Sequence, residues 1–151
     1  MRKFIFGDLF EIKTEKGFGY FQYVFDEIDK IQIIRVLTNH FTEQPESFTE
    51  IVNEKEFYYI HFPLVTAFNR KLISFTGNYA IPSSVIKPKY MRTTHTIRGK
   101  MLGWHIVDTL TLKRQFVIDL SEEQKQLSPW GIWNDTLLKE RISQNWTLND
   151  W

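Results

Sequence analysis

A chain of 151 residues with 42% apolar and 16% aromatic content has the material for one domain with a real core, since a chain of this size buries roughly 70% of its unfolded surface. Thirteen Phe and five Trp exclude a disordered or low-complexity class. A formal charge of +1 and the lack of Cys exclude a uniformly basic molecule, disulfides, thiol nucleophiles and Cys-based zinc sites together.

The stretch Gly7 to Leu37 carries the clearest pattern, three β-prone runs separated by turn signals. Leu9 to Thr14 is the first, and Glu15, Lys16 and Gly17 make the turn after it, with Gly17 free to take positive φ. The second, Phe18 to Phe25, sets Tyr20, Gln22 and Val24 on one face and Phe21, Tyr23 and Phe25 on the other. Asp26, Glu27, Asp29 and Lys30 break it, and Ile31 to Thr38 is the third. Short aromatic and β-branched runs bounded by polar clusters predict an antiparallel meander.

Thr38 to Ser47 reads as a polar loop. Phe48, Ile51 and Val52 then have the spacing of a short helix with Ser47 available as its cap. Phe57 to Ala67 is expected as a strand interrupted by Pro63, which places it at an edge or a bulge. Asn69, Arg70 and Lys71 turn into another strand, Leu72 to Thr76. From Ala80 to Met101 the periodicity dissolves, and a long irregular loop is expected there. Gly103 to Leu110 and Gln115 to Leu120 read as a strand pair.

Ser121 and Gln124 spell a capping box for a short helix stopped by Ser128 and Pro129. Leu138, Ile142 and Trp146 recur every fourth residue in an amphipathic helix from about Asp135, its expected N-cap, to Trp146. The count, about seven strands followed by two C-terminal helices, predicts a single α+β domain over residues 1–151. It is mostly antiparallel β, as a strongly bent sheet or small barrel covered by the helices.

Catalytic and metal motifs are missing from the pattern. His40, His61, His95 and His105 have no second His or carboxylate at ligand spacing, so no metal and no cofactor are expected. Gly17 and Gly19 lack the third glycine and the following helix of a phosphate loop. The chain is expected not to be an enzyme. An enzyme built from scattered His and acids would be betrayed by a pocket around a His–carboxylate pair.

The charges are segregated. Between Phe57 and Val107 there is no Asp or Glu, while eleven acids precede this span and seven follow it. The densest cationic run, KPKYMRTTHTIRGK, brings Lys87, Lys89, Arg92, Arg98 and Lys100 together with Tyr90 in the irregular segment. Exposed cations with an interleaved aromatic suit an acidic protein surface or phosphates. The plainer reading is surface ion pairing with the acids of the meander. Core packing accounts for Trp130, Trp133 and Trp146. Trp151 is harder to bury and is an outside candidate for an interface anchor.

Three stretches resemble the Immunity protein 26 family of bacterial polymorphic-toxin systems. They are GDLFEIKTEKGFGYFQYV, LISFTGN followed by Ile81-Pro82, and GWHIV with QFVIDLSEEQKQLSPWGIWNDTLLKERI. Phe75-Thr76-Gly77-Asn78 stands here in place of an Ile-Gly-Asn strand end, and the basic Pro88–Lys100 segment lies outside the similarity. The resemblance implies a cytoplasmic protein that binds and neutralises a cognate toxin, and it carries over no catalytic residue. The expected partner is therefore a toxin with an acidic surface. The expected site is Lys87, Lys89, Tyr90, Arg92, Arg98, Lys100 and Trp151. The alternative is a small β-barrel nucleic-acid-binding module using residues 87–100 and the rings of the second strand. The start, MRKFIFGDLFEIK, loses its apolar run at Gly7 and Asp8, so no secretory segment and no membrane association are expected.

Overall fold

The computed structural model describes residues 3–27 and 31–151. Asp29 and Lys30, expected to break the second strand, lie outside them.

The meander forms as its pattern predicts: β1 (Asp8–Thr14), β2 (Gly17–Asp26) and β3 (Gln32–Val36) pair antiparallel, with Thr14 opposite Gly17 across the turn. Gly17 has φ +144°, and a Cβ there would run into the Phe41 carbonyl. Alternation along β2 holds up to Tyr23. A register shift between Tyr23 and Phe25 then turns Phe25 to the same side as Val24, the re-aiming that a β-bulge produces.

β4 (Tyr58–Phe62) adds beside β3, and Pro63 ends it. The expected continuation of this strand to Ala67 is replaced by α2 (Leu64–Asn69), for which Pro63 is the N-cap with φ −76°. Proline cannot donate to a ladder but its φ suits the start of a helix, so one residue does both jobs. β5 (Ser74–Asn78) completes a five-stranded sheet in the order β4-β3-β2-β1-β5.

Both faces of this sheet are buried. Phe10, Ile12, Phe21, Ile34, Val36, Tyr58, Ile60 and Phe62 meet α2 and the C-terminal α3 (Asp135–Ser143), together with Trp133 and Trp146. Leu138 and Ile142 are the buried residues of α3, as their spacing predicts. Its N-cap is Asn134, one residue before the expected Asp135, with Oδ1 accepting from Leu137 N–H at 2.8 Å. On the other face α1 (Thr49–Asn53) packs Ile51 and Val52 on Leu9, Tyr20 and Leu37.

That second face also holds a buried cation. Arg35 Nε donates to Gln22 Oε1 at 2.8 Å, and its Nη atoms donate to Val52 O at 2.6 Å and Glu54 O at 3.1 Å, the carbonyls leaving α1. Glu56 sits 3.7 Å away, and burial pushes the guanidinium pKa down. A guanidinium at a helix C-terminus satisfies orphan carbonyls and opposes the helix dipole.

The second sheet is where sequence and structure part. The segment expected as a loop holds β6 (Tyr90–Ile97), which pairs with β7 (Lys100–Asp108) and through it β8 (Arg114–Val117). Arg98 and Gly99 join β6 to β7 with φ of +51° and +76°, the two positive values a tight type I′ hairpin needs. Met91 drives into Val24, Ile33 and Tyr59 of the first sheet.

The sheets are joined at their edges by Ser128–Trp133. Arg92 N donates to Ser128 O at 2.9 Å and Trp130 N to Arg92 O at 2.7 Å, on β6. Tyr59 N donates to Ser128 Oγ at 2.9 Å and Trp133 N to His61 O at 3.0 Å, on β4. The result is an α+β architecture of two antiparallel sheets, with no closed barrel among the described residues. The two expected C-terminal helices reduce to α3 and short 3-10 turns. Ser121 and Gln124 do exchange capping bonds of 2.9 and 3.1 Å, but over a single turn, Gln124–Gln126. No helix among the described residues is long and apolar enough to cross a membrane.

Arg35→Ala is expected to destabilise the protein by about 3 kcal/mol, because it strands Gln22 and two α1 carbonyls in the core. Equilibrium urea unfolding would measure the difference.

Candidate functional site

The expected cationic patch is divided by the strand that the sequence pattern concealed. Tyr90 and Arg98 stand at opposite ends of β6, about 26 Å apart at the usual rise per residue. Lys87 is half-buried and engaged: its Nζ lies 3.4 Å from both Glu27 Oε2 and the Asp26 carbonyl. This is the ion pairing with the meander that the plainer reading expects, and among these cations it is the one such pair given by the described residues. Lys89 lies beside Tyr90, its Nζ 5.4 Å from the ring centroid. Arg98 and Lys100 are exposed at the hairpin tip.

Arg92 leaves the surface patch altogether. It is 1% exposed, with Nε donating to Leu127 O at 3.0 Å and Nη2 to Lys125 O at 3.0 Å and Leu148 O at 3.1 Å. Its Cζ lies 4.8 Å from the Trp104 ring and 4.5 Å from the Trp151 ring. Trp151 is therefore a half-exposed lid over a buried guanidinium, packed edge-on against Trp104 at 5.0 Å. Burial lowers the Arg92 pKa to about 10, still well above neutrality. The rings of the second strand are also withdrawn: Tyr20, Phe21 and Tyr23 are buried and offer no stacking platform.

The free end of the second sheet shows what the sequence reading missed. Ile97, Met101, Leu102 and Phe116 are each roughly half exposed, and Ile118 is 70% exposed. Arg98 and Lys100 are exposed beside them, while the exposed Lys113 and Arg114 stand at the other end of the sheet, toward Tyr90. β8 is an edge strand, with β7 on its paired side. Several large apolar side chains exposed at one end of a sheet beside cations are unusual for a surface left to water. The signal was present as T-I-R-G-K-M-L, apolar residues flanking a cationic glycine turn, but it can be read only once that turn is known to join strands.

Behind the tip, His105 Nε2 lies 2.9 Å from His95 Nδ1, and Phe116 covers both rings at 5.5 and 5.9 Å. Gly103 makes room, since a Cβ there would come within 2.9 Å of the Phe116 ring. The His105 pKa is held below its ordinary 6.5, by burial first and then by His95 and Arg114.

A His–carboxylate pair is present elsewhere. His61 Nε2 lies 3.3 Å from Glu27 Oε1, both side chains buried, beside a cavity of about 480 Å³ walled by Ile31, Leu112, Trp130 and Ile132. This is the pocket beside a His–carboxylate pair by which an enzyme built from scattered His and acids is to be recognised. No hydroxyl or thiol lines it among the described residues, so water is the nucleophile such a pair would activate. The pair ties the end of β2 to β4. No cluster of three or more His, Asp or Glu is placed to hold a metal among the described residues.

Comparison with family models, curated proteins and solved structures finds no match for this chain.

Arg92→Met is expected to cost about 2–3 kcal/mol in chemical unfolding, leaving three carbonyls without a donor, whereas Arg98→Met leaves the midpoint unchanged. The lowered His105 pKa has a definite sign. As pH falls below 6.5 the unfolded chain takes up the proton before the folded one, so stability drops with pH in that window. A series of unfolding midpoints from pH 7.5 to 5 should show a shallower decline for His105→Gln.

Proposed function

We propose that this chain is a binding protein that neutralises a cognate toxin by covering part of its surface, as the resemblance to the Immunity protein 26 family implies. The observation that carries the reading is the free end of the β6–β7–β8 sheet, where Ile97, Met101, Leu102, Phe116 and Ile118 are exposed beside Arg98 and Lys100. Interface energy concentrates in a few apolar and Arg anchors, and the surrounding cations select a partner of opposite charge. An acidic, partly apolar toxin surface fits this end. The β8 edge offers backbone groups to an extended segment of the same partner.

Within this proposal the interface moves from the whole 87–100 run to its distal half. Arg98 and Lys100 stay in it, Lys89 and Tyr90 flank the far end of the sheet, and Arg92, Trp151 and Lys87 support the fold. The nucleic-acid alternative draws on the same exposed cations, but the buried rings of β2 take away the stacking surface it needs. A cytoplasmic site of action belongs to the proposal.

The test is growth rescue in bacteria expressing neighbouring toxin-like genes, together with co-purification of the complex. The wild-type chain should protect and co-purify. A triple variant, Arg98→Glu, Lys100→Glu and Ile118→Ala, should lose both while keeping its melting temperature. Full protection by that variant would move the interface elsewhere, and failure of the wild-type chain with every neighbour would remove the immunity reading.

A further inference from the structure

Arg92 is a buried cation whose balancing negative charge is missing. Its Nε and Nη2 groups are bound to carbonyls, and no carboxylate pairs with it among the described residues. Its Nη1 group takes no hydrogen-bond partner among them. A guanidinium could satisfy such a position with neutral acceptors alone, but burying its charge without an anion is costly.

Arg92 also lines a recess of about 450 Å³. Trp104 and Trp151 make one corner of it, and Lys125, Asn149 and Asp119 stand around it. The two rings meet at 77°, and both lie against the Arg92 guanidinium. The Asn149 amide is a donor, Lys125 Nζ lies 3.0 Å from Glu122 Oε1 and can turn between that carboxylate and an anion in the recess, and Leu120 and Leu148 supply apolar contact.

We propose that this recess is a binding site for a small carboxylate, with the anion accepting from Arg92 Nη1 and an apolar body resting on Leu148 and Trp151. Guanidinium groups recognise carboxylates and phosphates alike. Asp119 decides between them here, because its own charge at the recess disfavours a dianion more than a monoanion. The site lies away from the hairpin tip and stands whether or not that tip binds a toxin.

The full-length protein would be titrated by heteronuclear NMR with benzoate, with its neutral isostere benzamide, and with inorganic phosphate, all at constant ionic strength in chloride. Benzoate should shift the Arg92 Nε–H and the Trp104 and Trp151 indole N–H resonances saturably, and benzamide and phosphate should not. Asp119→Asn, an exposed position, should tighten benzoate several-fold, and Lys125→Ala should weaken it. An unmoved Arg92 resonance, or benzamide matching benzoate, would overturn the site. Phosphate binding as tightly as benzoate would overturn its assignment to carboxylates, as would weaker benzoate binding in Asp119→Asn.

Discussion

The structure depends on two open sheet edges closed by one strap. β4 and β6 each present a row of backbone donors and acceptors that would otherwise face water or another chain. Ser128–Trp133 runs between them, giving Trp130 N and Ser128 O to β6, and Trp133 N and Ser128 Oγ to β4. Pro129 sits opposite Arg92 in a parallel bridge, a position where its missing N–H does no harm. Because the strap also carries Trp130 and Trp133 into two different apolar clusters, its hydrogen bonds and its packing fix the same register. β8 has no such cover, which makes the far side of the second sheet chemically different from its near side.

Two buried arginines play matching parts in the two sheets. Arg35 holds α1 to the first sheet by taking the carbonyls at the helix end, with Gln22 and Glu56 completing its shell. Arg92 gathers the segment after β8 and the C-terminal turn through Leu127, Lys125 and Leu148. In both, a planar fork of donors reaches several carbonyls that a lysine could not reach together. The difference is in charge: Arg35 has Glu56 beside it, and Arg92 has two indole faces. Ring quadrupoles attract a cation but do not neutralise it.

The exposed end of the β6–β7–β8 sheet has the composition of an anchor region. Its apolar side chains hold little water favourably, and Arg98 and Lys100 take no ion-pair partner among the described residues. The His95–His105 contact beneath Phe116 and the space left by Gly103 hold this end in a set shape, which lowers the ordering cost of binding.

The meander, the short helix at Ile51, the β7–β8 pair and the buried face of the last helix were all legible in the sequence. Each follows from local period, two for a half-buried strand and 3.6 for a helix, together with turn residues such as Gly17. Arg92 and the second half of the long polar segment were not legible. YMRTTHTI contains one strongly apolar core residue, Met91, and its strand exists because β7 and the Ser128–Pro129 strap supply ladder partners distant in sequence. Once that strand forms, alternation sends Arg92 beneath the indoles while the hairpin turn sends Arg98 and Lys100 outward. Sequence by itself thus determined which residues are cationic and that the chain is mostly antiparallel β. Tertiary structure alone decided which of those cations are buried and which face solvent, because burial depends on what the far segments of the chain lay over them.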